Sequence, residues 1–184
     1  MPLWLIFHPA GTFEDEASRH ALAQDITKIY TRIGLPAFYV VANFIKLQEG
    51  QTWVGGELHT RKPFIRIAIE HIAAHIGDEL PDDAHARTNS VIEAALKPHV
   101  ADKGYDWEFH VDQTDRRLWK VNGFNPPAFR SEAERLWFNE NRPVFYEPEA
   151  GKRTHAFNHG VEYGSDPGRR LTKFIIGSRK NATL

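Results

Sequence analysis

The order strand–helix–strand occurs twice in this chain, and that repetition constrains its fold more than any single motif. The opening MPLWLIFH alternates, placing Pro2, Trp4, Ile6 and His8 on one face of an extended segment. Pro9-Ala-Gly11 turns the chain, and Thr12, with Asp15 three residues on, is expected to cap a helix. Leu22, Ile26, Ile29 and Ile33 recur at helical spacing, which predicts an amphipathic helix over about 13–33. Gly34-Leu-Pro36 ends it. Residues 38–45 (FYVVANFI) are β-branched and aromatic and read as a strand largely buried on both faces. The three elements form one β-α-β unit with a right-handed crossover.

After a loop over 51–62 centred on Gly55-Gly56, the same order returns. Residues 64–69 predict a strand with Ile65, Ile67 and Ile69 on one face and Phe64, Arg66 and Ala68 on the other. Asp82-Asp83 start a helix whose stripe is Thr88, Val91, Ile92, Ala95 and Leu96, and Pro98 limits its length. Gly104 precedes a fourth strand over 105–112. The expected architecture is therefore α/β: a four-stranded layer with two helices on one face. Apolar residues also line the other face, so a second copy of the chain is expected to cover it. Twelve Phe, five Trp and five Tyr provide large side chains for the core.

Several classes of function are set aside by what the chain lacks. It has no cysteine, which removes disulfide scaffolds, thiolate metal sites and cysteine nucleophiles. The formal net charge is −1, leaving no global basic field for nucleic acid or anionic lipid. No apolar run approaches the roughly 18–20 residues of a membrane span. No basic segment precedes the first apolar run, so a signal peptide is not expected and a cytoplasmic location is. Gly55-Gly56 lacks the strand–turn–helix setting of a phosphate loop, and no nucleotide or other cofactor is implied.

The candidate chemistry begins at the second residue. Removal of Met1, which a small following residue such as proline permits, would leave Pro2 as a free secondary amine at the start of a buried strand. A free α-amine has a pKa of about 8. Desolvation or a nearby cation lowers it, leaving a neutral amine that can act as a general base. Proton shuttling between an enol and its ketone needs such a base, and cations to hold a carboxylate. The candidate cations are Arg66, His71, His75 and Lys120, with Arg66 favoured because guanidinium binds carboxylate in a bidentate way. Tyr39, Trp107 and Trp119 are candidates to line a pocket, while Trp4 and Phe38 read as core. His71 and His75 have the spacing that shares one helical face, but no third ligand follows at a fixed short distance, so no metal site is assigned.

Met1-Pro-Leu-Trp4 followed by a β-α-β unit and Gly34-Leu-Pro-Ala-Phe-Tyr-Val40 resembles the tautomerase superfamily of amino-terminal-proline enzymes. Ile6-Phe-His-Pro9, Gly11-Thr-Phe13, Val54-Gly-Gly56 and Lys62-Pro-Phe-Ile-Arg-Ile67 are similar to a fungal-type branch. That branch is grouped with the cis-3-chloroacrylic acid dehalogenases and oxalocrotonate tautomerases. The resemblance covers about residues 2–146. It implies paired β-α-β units, a homotrimer and a small carboxylate or carbonyl substrate. Catalysis would fall to Pro2, and Tyr30 would stand where the dehalogenase branch has a histidine late in the first helix. That branch's two arginines after the third strand correspond to His71 and Ala74, its strand tyrosine to Phe109, and its water-activating glutamate to Trp119 or Lys120.

The expected function is thus a cofactor-independent isomerase with Pro2 as base and Arg66, His71, Tyr30, Lys120 and Trp119 around the substrate. Two alternatives stand beside it. One is a hydratase or dehalogenase of unsaturated acids with protonated Pro2 as acid. The other is a trimeric binding protein without catalysis. The expected organisation is a tautomerase-like domain over 1–128 and a C-terminal extension over 129–184. The extension includes a short helix over 131–139, followed by a solvated, flexible tail.

Overall fold

A computed structural model describes residues 1–59, 61–73 and 82–147. The first strand, β1 (Leu3–Pro9), buries alternate residues, so that Pro2, Trp4, Ile6 and His8 all face the interior. Helix α1 (Glu16–Thr31) follows and buries Leu22, Ile26 and Tyr30, one residue per turn along a single stripe. Its N-cap is Asp15, whose side chain accepts from the amide N–H of Ser18. Thr12, expected in that role, instead donates its hydroxyl to the Pro9 carbonyl at 2.7 Å. It closes the turn that a helix start three residues later requires.

The stretch expected to be one strand over 38–45 divides in two. Residues Ala37–Tyr39 form a 3₁₀ turn after Pro36, which carries the Tyr39 ring into the core. Strand β2 (Val41–Leu47) starts only after it and is half-exposed along its length. The reason is its place in the sheet, whose strand order is β2-β1-β5-β6, so β2 is an edge. The expected loop holds a small hairpin, β3 (Trp53–Val54) with β4 (Glu57–Leu58). Gly55 (φ 61°) and Gly56 (φ 86°) both lie in the left-handed region that such a two-residue turn demands.

Strand β5 (Phe64–His71) directs Ile65, Ile67, Ile69 and His71 inward. Helix α2 (Asp82–Leu96) buries Ile92 and Leu96 and leaves Val91 about half exposed. Strand β6 (Asp106–Gln113) completes the sheet. β1 is parallel to β2 and β5 is parallel to β6, while β1 and β5 meet antiparallel at the centre. The chain is therefore an α/β layer of two β-α-β units, with α1 and α2 packed side by side over the sheet. Trp4, Ile6, Leu22, Ile26, Ile67 and Leu96 are fully buried between the layers.

A third helix, α3 (Glu132–Glu140), extends this core. Its N-cap Ser131 accepts from the Glu134 N–H, and Glu134 Oε2 accepts from the Arg130 N–H at 2.7 Å, a variant of the reciprocal capping arrangement. Trp137 is fully buried, packs against Phe38, Tyr39, Phe124 and Tyr146, and donates its indole N–H to the Val144 carbonyl. Asn141, at φ 47°, ends the helix and accepts the Phe38 N–H through its side chain. The expected flexible tail beyond residue 147 lies outside the described residues. No described helix is long and apolar enough to cross a membrane.

Candidate active site

The register between β1 and β5 positions the site. Trp4 stands opposite Ile69 and Leu3 opposite Glu70, so the beginning of β1 lies beside the end of β5. Pro2 and His71 consequently come to the same end of the sheet and to the same, helix-covered face. Tyr30, in the last turn of α1, reaches down onto them. Its hydroxyl accepts from Trp4 Nε1 at 2.9 Å and lies 2.8 Å from His71 Nε2. The Tyr30 and His71 rings meet edge to face, 5.6 Å between centroids.

This chain of groups limits where protons can sit. The Trp4 indole only donates, so the Tyr30 oxygen must accept from it. Either the Tyr30 proton then goes to His71 Nε2, or His71 Nε2–H donates to Tyr30 and the phenolic proton is turned elsewhere. Only the second arrangement offers a proton to a ligand. Burial raises the Tyr30 pKa well above its ordinary value, more than the Trp4 hydrogen bond lowers it, so the phenol remains protonated at neutral pH.

Pro2, Tyr30 and His71 border a cavity of about 280 Å³ between the two helices and the sheet end. Ile29 from α1, Ile33 just after it, and Val91 and Ile92 from α2 form most of its wall, and Arg87 and Thr88 of α2 reach its edge. On the far side of the amino terminus lies a second cluster. Arg116 donates to the carbonyls of Ala73 and Pro127 and pairs with Glu134 at 3.1 Å. The Ala73 carbonyl belongs to a residue that also borders the cavity, so Arg116 is tied to its rim. The Met1 amino group lies largely buried in this region. Desolvation first, and Arg116 second, lower its pKa from 8 to about 3, with Glu134 opposing. Glu134 itself is raised by burial, against the pull of the Arg130 N–H and Arg116.

The sequence candidates thus separate. Pro2, Tyr30 and His71 come together. Arg66 does not join them: it lies on the opposite face of the sheet, paired with Glu108 and 3.1 Å from His110 Nδ1. Alternation along β5 requires this, since Ile65, Ile67, Ile69 and His71 take the helix side. Trp119 is buried against Tyr39 and beneath the Arg116 guanidinium, in the second cluster rather than on the cavity wall. Lys120 is exposed, away from the cavity. His75 lies outside the described residues. Arg87 and Arg116 were not among the candidates. The helical stripe through Thr88 and Val91 could have suggested Arg87, one turn before Val91, but nothing local to Arg116 marks it.

A sheet of paired β-α-β units with a proline at the buried start of its first central strand defines a protein of the tautomerase class. Residues 1–142 match a family model described as "Putative oxalocrotonate tautomerase enzyme". The chain belongs to that family and, with it, to the tautomerase superfamily. Among solved structures it is similar to RhCC from Rhodococcus jostii RHA1. The identity is 36%, covering 78% of this chain and 99% of that one, with a TM-score of 0.73. It is also similar to a probable enzyme from the thermophilic fungus Aspergillus fumigatus. Here the identity is 42%, covering 79% and 98% of the two chains, with a TM-score of 0.70. N1, a member of the cis-3-chloroacrylic acid dehalogenase family, shares the fold at 18% identity. The match covers 76% of this chain and 97% of that one, with a TM-score of 0.51. No curated protein matches the sequence.

Proposed function

We propose that this chain is a cofactor-independent tautomerase of 2-oxo acids in which the Pro2 amine, freed by removal of Met1, is the general base. The observation that carries this reading is the position of Pro2: buried at the start of β1, on the wall of a largely apolar cavity, beside Tyr30 and His71. The burial of Pro2 supports it, because desolvation disfavours the charged form of an amine and leaves it able to accept a proton.

In the enol substrate, Pro2 nitrogen takes the hydroxyl proton. The C–O bond becomes a carbonyl as the C=C electron pair moves to the neighbouring carbon, and that carbon receives the proton from the prolinium. The base is regenerated, and no oxidant or reductant is needed. The Tyr30–His71 pair supplies a donor for the enolate oxygen when His71 Nε2–H points to Tyr30. Hydration or dehalogenation would instead need Pro2 protonated, a state that its burial disfavours. The sheet face without helices carries Leu3, Leu5, Phe7, Val41 and Ile45 side by side, and packing of this face in a homotrimer would cover them.

The test is ketonisation of phenylenolpyruvate followed by ultraviolet absorbance, with intact mass to establish whether Met1 is present. A rate well above buffer that disappears in Pro2→Ala is expected. Equal rates in both proteins, or a mass that retains Met1 in an active sample, would overturn the amine mechanism. Buffer-level rates in a correctly processed protein would favour a binding protein without catalysis.

A further inference from the structure

The cavity is unequal in its two ends. One end presents Pro2, Tyr30 and His71. The body between α1 and α2 is aliphatic, and Arg87 stands at its edge. Among the described residues around it, Arg87 is the one permanently charged side chain. We propose that Arg87 is the carboxylate-binding residue of this cavity and that its ligands are monocarboxylic acids with an apolar tail, rather than dicarboxylates. The inference rests on the reading of this cavity as the substrate site.

Three observations carry it. First, the helical geometry is suited to the task. Ala84, Arg87, Thr88 and Val91 follow at three- and four-residue steps and present one face of α2 to the cavity, with the guanidinium one turn before Val91. Second, the present partner of Arg87 is Asp83, one turn earlier on an exposed helix surface. Exposed pairs of this kind are weak, so a ligand carboxylate can share or replace it at little cost. A guanidinium has donors enough for both. Third, the wall between Arg87 and the Pro2–Tyr30–His71 end offers a second carboxylate no partner. Ile29, Ile33, Val91 and Ile92 would desolvate it. The size also fits a substantial tail. A cavity of about 150 Å³ holds benzene, and this one is about 280 Å³.

The experiment uses the full chain and three six-carbon probes: hexanoate, adipate and 1-hexanol, titrated calorimetrically into native protein and Arg87→Gln. Circular dichroism confirms that the variant is folded, which its exposed position on α2 allows. Hexanoate should bind the native protein more tightly than adipate and lose about tenfold in affinity in Arg87→Gln. The affinity for 1-hexanol should be the same in both. Arg87→Lys should recover part of the hexanoate affinity, because it restores the charge without the fork. Equal hexanoate affinity in native and Arg87→Gln protein would overturn the inference, as would tighter binding of adipate or no binding of hexanoate. These titrations do not depend on turnover. Loss of the amine mechanism would appear only in the Pro2→Ala rate, and loss of the Arg87 assignment only here.

Discussion

Replacing Tyr30 with phenylalanine removes one oxygen atom and should destabilise the protein by about 3 kcal/mol. The Trp4 indole is fully buried and its N–H donates to Tyr30 at 2.9 Å. Without that acceptor a buried donor is left unsatisfied, which costs about 1–3 kcal/mol. The 2.8 Å bond between Tyr30 and His71 is lost as well, adding a net contribution of about 1 kcal/mol. The ring itself remains, so the apolar contacts of α1 with the sheet are retained and little cavity term is added. Urea unfolding followed by far-ultraviolet circular dichroism would measure the difference, with protomer concentration held constant because assembly contributes to stability. An unchanged slope with a lowered midpoint is the expected pattern. A loss below about 0.5 kcal/mol would mean that water entering the adjoining cavity satisfies Trp4 and His71, and the bridging role argued for Tyr30 would fall.

The second polar cluster allows a comparison of two substitutions. Arg116→Ala strips the buried Glu134 of its partner and frees the carbonyls of Ala73 and Pro127. It should cost roughly 3 kcal/mol in the same urea assay, whereas Glu134→Gln, which keeps an acceptor for the Arg130 N–H, should cost about 1 kcal/mol. Equal costs would refute the assignment of Arg116 as the anchor of this cluster. The terminal amine gives a pH dependence whose sign is set by its lowered pKa. Between pH 8 and about 3 the unfolded chain holds a proton that the folded chain does not. This contribution to stability is present in full above pH 8 and lost as the pH falls. A chain that retains Met1 should therefore lose about 1.4 kcal/mol per pH unit between pH 7 and 4 relative to the same chain with its Met1 amine acetylated. Parallel curves for the two forms would show that the amine is not buried in the folded state.

Local periodicity carried most of the fold. Alternation along MPLWLIFH already placed Pro2, Trp4, Ile6 and His8 on one face, and the structure buries that face. Leu22 and Ile26 likewise marked the buried stripe of α1, and Ile65, Ile67 and Ile69 that of β5. The departures are where a neighbouring element decides. Asp15 displaced Thr12 as the cap because Thr12 is held by the Pro9 carbonyl and His8. Residues 38–40 left the strand because Tyr39 is drawn beneath Trp137, nearly a hundred positions away in sequence.

The candidate site divides along the same line. Alternation and helical spacing, both properties of neighbouring residues, determined that Pro2 faces inward, that Leu22 and Ile26 lie on the buried stripe of α1, and that Arg66 takes the face of its strand opposite Ile65, Ile67 and Ile69. Which of those faces meets Pro2 depends on β1 lying antiparallel to β5 with Trp4 opposite Ile69, a register set by the packing of the two units against each other. Only that packing joins Trp4, Tyr30 and His71 into one hydrogen-bonded chain, brings Arg87 of α2 to the edge of the same cavity, and sets Arg116 and Glu134 beside the amino terminus. The physical reason is range. Periodicity selects the face a residue presents over a few positions of chain, whereas the desolvation and hydrogen bonding that give a site its chemistry come from residues that meet only when the layers close.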